Sequence, residues 1–337
     1  MTTTKRPVRE LDRKLAKIKS GKYKPTDFII ADAKDADMAF GLQAPATYTG
    51  KDFGSSGPGI YRTRQEYIAQ MQALIDQGQL DIMLTSVSNA EALAKKPGNS
   101  RKITLGFRGN DASDIWSQRG TRYPATKSLP FSSVNLKKVK KFSDLALYSL
   151  TFNNDVESDL RTLEDYKRFR IEAAELGIRH FMEVFNPNAP VNLRENDYGS
   201  FVNDHIIRTL AGVTEEERPL FLKVAYNGFD NLRELSEHDS SLTVGILGGS
   251  SGTTRDTFEL LHRAEQAGSR VAIFGRKIQR AESQTDIVRL FRPVIEGKLT
   301  PEQAVEDYHA ALAKKQIPSI RSLTADLKIT DKILLGE

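Results

Sequence analysis

Apolar residues in this chain come in short unbroken runs, separated by longer stretches in which they recur every three or four positions. Eight runs of strand length lie at 27–32, 80–85, 102–107, 145–152, 179–185, 219–225, 242–247 and 270–274. They are rich in Ile, Val, Leu and Phe without strict polar alternation, as parallel strands covered on both faces are. Between them run helical stripes: Tyr67, Ile68, Met71, Leu74 and Ile75; Leu160, Leu163, Tyr166, Phe169 and Ala173; Phe258, Leu261, Ala264 and Ala267, stopped by Gly268. Thr300-Pro301-Glu302-Gln303 reads as an N-cap, a proline in the first turn and a capping-box glutamine. Eight strands alternating with helices predict one α/β domain, a (β/α)8 TIM barrel. An open doubly wound sheet is the alternative, because strand count alone does not show closure.

The pattern divides the chain into a basic N-terminal helix or arm at 1–25, the barrel at 26–316 and a C-terminal extension at 317–337. Two long loops follow strands one and three. Residues 41–63 contain Gly54-Ser55-Ser56-Gly57-Pro58-Gly59, which matches neither a dinucleotide fingerprint nor a Walker loop. Residues 108–135 hold the chain's one tryptophan, Trp116. In a barrel both loops sit on the C-terminal face, where chemistry is done.

The formal charge of +5 is concentrated at the start of the chain. Residues 1–24 carry nine lysines and arginines against Glu10 and Asp12, which leaves the remainder slightly acidic. The arm is read as a helix closing the barrel floor, with Leu11, Leu15 and Ile18 facing in; contact with nucleic acid or an acidic partner is the competing reading. There is no cysteine, which excludes disulfides and thiolate chemistry. No apolar stretch approaches the ~18 residues of a membrane span. A cytoplasmic protein is the default expectation. The five histidines, at 180, 205, 238, 262 and 309, form neither an H-x-H nor an H-E-x-x-H arrangement, so no metal site is expected.

Against this background Lys223 stands out. It interrupts the apolar run Pro219-Leu-Phe-Leu-Lys-Val-Ala. A buried ammonium is costly, so such lysines are paired or chemically used. As a nucleophile it must lose its proton, and from a reference pKa near ~10.4 that takes desolvation or a partner. Glu183, in the preceding apolar strand Phe-Met-Glu183-Val-Phe, is a natural partner able to shuttle protons. Asp32 ends the first strand in Ile-Ile-Ala-Asp, a position expected to face the site, whereas Asp35 and Asp37 read as acids at a helix N-terminus. Gly248, Gly249, Ser250, Ser251 and Gly252 follow strand seven and open onto a helix. Gly275 and Arg276 follow strand eight. Together they are expected to hold a phosphate. Arg108 and Asn110, after strand three, are candidates for polar contacts to substrate.

These segments together resemble the class I (Schiff-base) aldolase superfamily that groups deoxyribose-phosphate, tagatose-bisphosphate and archaeal-type fructose-bisphosphate aldolases. The resemblance rests on Ile-Ile-Ala-Asp32, Phe-Met-Glu183, Leu-Lys223-Val, Gly248-Gly249-Ser250 and Phe-Gly275-Arg276, in order between about 26 and 315. It implies a Schiff base on Lys223, acid–base roles for Asp32 and Glu183, and a phosphate clamp from Arg276 and the 248–251 amides. It implies no cofactor, and a phosphorylated small molecule as partner in a homo-oligomer, with neither nucleic acid nor membrane. The chain departs from the pattern in lacking a lysine on strands four and seven and a tyrosine before Pro187. Tyr148, with Tyr226 behind it, is therefore the candidate proton donor. An isomerase or epimerase using Asp32 and Glu183, and a non-catalytic barrel binding through its arm, are the competing readings.

Overall fold

The computed structural model describes residues 9–47, 61–189, 192–194 and 197–336. The glycine-serine cluster at 54–59 and the first eight residues of the basic arm lie outside them. Eight parallel strands close into a barrel: β1 (Ile29–Lys34), β2 (Ile82–Thr85), β3 (Thr104–Arg108), β4 (Leu145–Thr151), β5 (Arg179–Phe185), β6 (Leu222–Val224), β7 (Gly245–Leu247) and β8 (Val271–Phe274). Strand β8 pairs with β1 through Ile29↔Val271 to Asp32↔Phe274, which completes the ring. The open-sheet alternative is thereby excluded. The apolar stripes form the helices Arg64–Gln77, Val156–Glu175 and Thr254–Gln266, and Thr300 caps Pro301–Lys314 with Gln303 in the expected box.

Alternation along the strands sorts the core into two layers. Ile29, Ala31, Ile82, Leu145, Phe181 and Val271 point into the barrel. Their neighbours, such as Ile30, Met83, Ala146 and Met182, point out to the helices. Helix Glu10–Lys19 closes the floor by inserting Leu11 and Leu15 into the inner cluster. Its cations are tied down there: Lys14 Nζ lies 2.7 Å from Asp81, Arg9 Nη1 2.6 Å from Asp144, and Lys17 Nζ 2.8 Å from Asp27. Gly245 is needed where β7 passes between β6 and β8. A Cβ there would lie 2.6 Å from the Leu222 carbonyl and 2.7 Å from Val271 Cβ.

The loop after β3 carries structure of its own. Asp111–Ala112 pairs antiparallel with Pro130–Phe131, and Trp116 packs edge-on against Tyr123 and Phe131. The C-terminal extension folds back as two short helices, Leu323–Asp326 and Lys332–Leu335. It docks on the start of helix Thr254–Gln266, where Asp326 accepts from Thr254 N at 2.8 Å and Asp256 accepts from Thr330 N at 2.8 Å.

Candidate active site

Inward parity and strand register bring four charged side chains together at the C-terminal mouth. Ser149, Glu183 and Lys223 sit level on neighbouring strands, through the pairs Ser149↔Glu183 and Glu183↔Lys223. Each is an odd-numbered position in a strand whose other odd positions line the barrel. Lys223 Nζ lies 2.5 Å from Glu183 Oε1. The two residues are 5% and 1% exposed, so this is a buried ion pair. The expected Lys223–Glu183 pairing is therefore present.

Arg108, the last residue of β3, links the other members. Its Nε donates to Asp35 Oδ2 at 2.6 Å, its Nη1 to Ser149 Oγ at 2.7 Å and its Nη2 to Glu183 Oε2 at 3.3 Å. The guanidinium thus binds one carboxylate oxygen of Glu183 while the lysine holds the other. Two cations and two carboxylates balance, which is how so much charge stays buried without isolated ions. Burial alone would raise the Asp35 pKa, but the charges of Arg108 and Lys223 outweigh it and hold that carboxyl below its usual value.

Several expected site residues lie elsewhere. Asp32 is even-numbered and faces outward with Ile30, not into the barrel. It is wholly buried between sheet and helices, paired with Lys34 Nζ at 3.3 Å but without hydrogen-bond alignment. Burial pushes its carboxyl up to about 6, against the pull of Lys34. Lys34 is anchored by Gln279 Oε1 at 2.5 Å and Gln284 Oε1 at 3.1 Å. The strand-one carboxylate that does reach the cluster is Asp35, which the sequence pattern assigned to a helix start. Tyr148 is likewise corrected: it faces outward and donates to Asp165 Oδ2 of helix Val156–Glu175 at 2.7 Å. Tyr226 also faces outward, toward Arg263 and Glu259, and its pKa is raised chiefly by burial. The Asn110 amide is spent on β4, donating to Ser149 O at 2.9 Å and accepting from Ser149 N at 2.8 Å. It therefore fixes β3 to β4 and does not present itself to a ligand. Tyr148→Phe is expected to lower unfolding free energy by only about 1 kcal/mol, since Asp165 keeps its contact with Arg168. Urea denaturation measures that cost.

The residues expected to hold a phosphate gather at the ends of β7 and β8. Gly249 and Gly252 take positive φ of 64° and 58° on either side of Ser250 and Ser251, a backbone that favours glycine. Among the described residues no acceptor takes the amides of residues 249–252. The helix that follows is not open to an anion, because its first amides are occupied: Asp256 accepts from Thr253 N at 2.9 Å and Asp326 from Thr254 N at 2.8 Å. Gly275 is required by the close approach of the Ala33 carbonyl, 2.9 Å from where a Cβ would stand. Arg276 is exposed at the mouth, with no carboxylate in ion-pair range among the described residues. Among those residues no group of three His, Asp or Glu side chains is arranged to hold a metal ion. No helix among them is long and apolar enough to cross a membrane.

Solved structures share this closed parallel barrel. A fructose-bisphosphate aldolase from Slackia heliotrinireducens superposes with a TM-score of 0.62 at 14% identity, over 96% of this chain and 98% of that one. An archaeal fructose 1,6-bisphosphate aldolase gives 0.61 at 14% identity, over 85% and 99%. Cgl0159 from Corynebacterium glutamicum gives 0.59 at 16% identity, over 87% and 100%. At these identities the likeness is one of fold. No protein-family profile matches the sequence, and no curated protein matches it.

Proposed function

We propose that this chain is a metal-independent class I aldolase, which makes or breaks a C–C bond in a phosphorylated ketose or related hydroxy-ketone. The observation that carries the reading is the buried contact of Lys223 Nζ with Glu183 Oε1 at 2.5 Å. Glu183 takes a proton from the ammonium, and the free amine adds to the substrate carbonyl. Glu183 then returns the proton to the carbinolamine hydroxyl, which departs as water and leaves an iminium. Glu183, a carboxylate again, takes the proton of the β-hydroxyl as the bond between the α and β carbons breaks. Its electron pair moves into the iminium, leaving an aldehyde and an enamine. Arg108 restrains the second oxygen of Glu183, so that Oε1 stays aimed at Lys223. The 249–252 amides and Arg276 bind the phosphate.

The competing isomerase reading needs Asp32 opposite Glu183, and Asp32 lies on the other side of the sheet. Borohydride reduction in the presence of dihydroxyacetone phosphate and a panel of phosphorylated ketoses is expected to leave one adduct, on Lys223 by peptide mapping. An adduct confined to other lysines would overturn the assignment.

A further inference from the structure

Lys277 is a buried lysine near the mouth that the reaction above does not use. It follows Arg276, is 4% exposed, and runs beneath the glycine-serine loop, with its Cδ 3.5 Å from where a Gly248 Cβ would stand. Its Nζ donates to the Ser251 carbonyl at 3.3 Å. Among the described residues no carboxylate lies within ion-pair range of it. An ammonium can donate three hydrogen bonds, and burying one with so little compensation is costly. Structural lysines elsewhere in this chain are differently served: Lys14 has Asp81, and Lys34 has Asp32 and two glutamines.

The geometry of one peptide explains what the contact does. In a planar trans peptide the C=O and the following N–H point in opposite directions. With the Ser251 carbonyl held inward by Lys277, the Gly252 N–H must face outward from the loop. Arg280 Nη1 fastens the same residue by donating to Ser251 Oγ at 3.1 Å. We propose that Lys277 is a positioning residue for a phosphate monoester dianion: it orients the 251–252 peptide so that its N–H meets the anion, and it places a positive charge behind the loop. This rests on the phosphate-site reading above, and adds to it a residue that needs no direct contact with ligand.

The protonation of Lys277 then matters. Burial pulls its pKa down to about 8, against Asp256 and Asp331 and with help from Arg276. The other charged groups around it are Asp256 on helix Thr254–Gln266, Asp331 on the C-terminal extension, and Arg276 and Arg280 on its own segment. Carboxylates and guanidinia do not change charge between pH 7 and 9. Phosphate affinity is therefore expected to fall as pH rises through about 8, where Lys277 becomes neutral and releases the carbonyl.

The test measures the affinity of the phosphate dianion by calorimetry with inorganic phosphate between pH 7 and 9, corrected for the ligand's own second ionisation, for the wild type, Lys277→Met and Lys277→Arg. Trapping of unphosphorylated dihydroxyacetone on Lys223 is followed in parallel. The wild type is expected to lose affinity several-fold across this range. Lys277→Met should bind phosphate at least ten-fold more weakly at pH 7 with no pH limb, and trap dihydroxyacetone as the wild type does. Lys277→Arg should keep binding and lose the limb, an outcome that a merely structural role would not produce. Wild-type binding matched by both variants, with the limb intact, overturns the role of Lys277 and leaves the phosphate site standing. A wild type that binds no phosphate overturns the site and this proposal together.

Discussion

Lys223→Met is expected to abolish imine trapping and to lower C–C bond turnover by at least about 1,000-fold, with the barrel still folded. The substitution removes the attacking amine and keeps an unbranched chain of similar length in a site walled by strands. It also leaves Glu183 without its lysine. That carboxylate is not stranded, because Arg108 Nη2 still donates to its Oε2. The loss of stability should thus fall short of the roughly 3–5 kcal/mol typical of an uncompensated buried charge. Borohydride trapping, an aldol cleavage assay and thermal unfolding, run on one preparation, separate the chemical loss from a folding defect. Full turnover in the variant would refute the Schiff-base reading.

Arg108→Met should behave in the opposite way, as a stability variant first. It strips a common partner from Asp35 and Glu183, and leaves two buried carboxylates sharing one lysine. Unfolding free energy at neutral pH is expected to drop by about 3–5 kcal/mol. The pH dependence identifies the cause. In the wild type the Asp35 pKa lies below its unfolded value, so its stabilising contribution is present above that value and disappears as pH falls through the folded pKa. Without Arg108, burial dominates and the folded pKa rises above the unfolded one. The penalty then grows as pH climbs past the unfolded value near ~3.9. The deficit of the variant should accordingly be large at pH 8 and shrink toward pH 4 in urea denaturation series. A deficit of equal size at both would mean lost packing and not lost charge compensation.

The barrel was legible because its signal is periodic: eight apolar runs and the stripes between them survive any uncertainty of a few residues at their ends. Lys223 and Glu183 were legible for a related reason, each being a lone charge inside an apolar run. Arg108 as the central cation was not legible. Its three side-chain partners lie 73, 41 and 75 residues away, two on other strands and one just past the first strand, and only barrel closure assembles them. Asp32 misled because it ends the first apolar run, whereas what matters is which side of the strand a residue occupies. Ile29, Ala31 and Ala33 share one parity, and counting on from them leads to Asp35. Tyr148 failed by the same rule, alternating with Leu147 and Ser149, which face in. The glycine-serine turn after β7 was readable from its glycines, but the closed helix start behind it was not, since the capping Asp326 arrives 72 residues later.

The outward pair of Asp32 and Lys34 has a consequence for how the first strand finds its place. Strand pairing has a repeat of two, so a slip by one position exchanges the two faces completely. Such a slip here would push both ions into the aliphatic interior beside Ile82 and Val271, and would separate Lys34 from the glutamines that anchor it. A register error in β1 is thus penalised twice, by desolvation of both charges and by loss of their partners. That strand pairs with both β2 and β8, so its alignment sets the seam at which the ring joins. In this barrel, buried ions on the side of the sheet away from the chemistry act as a key for correct closure.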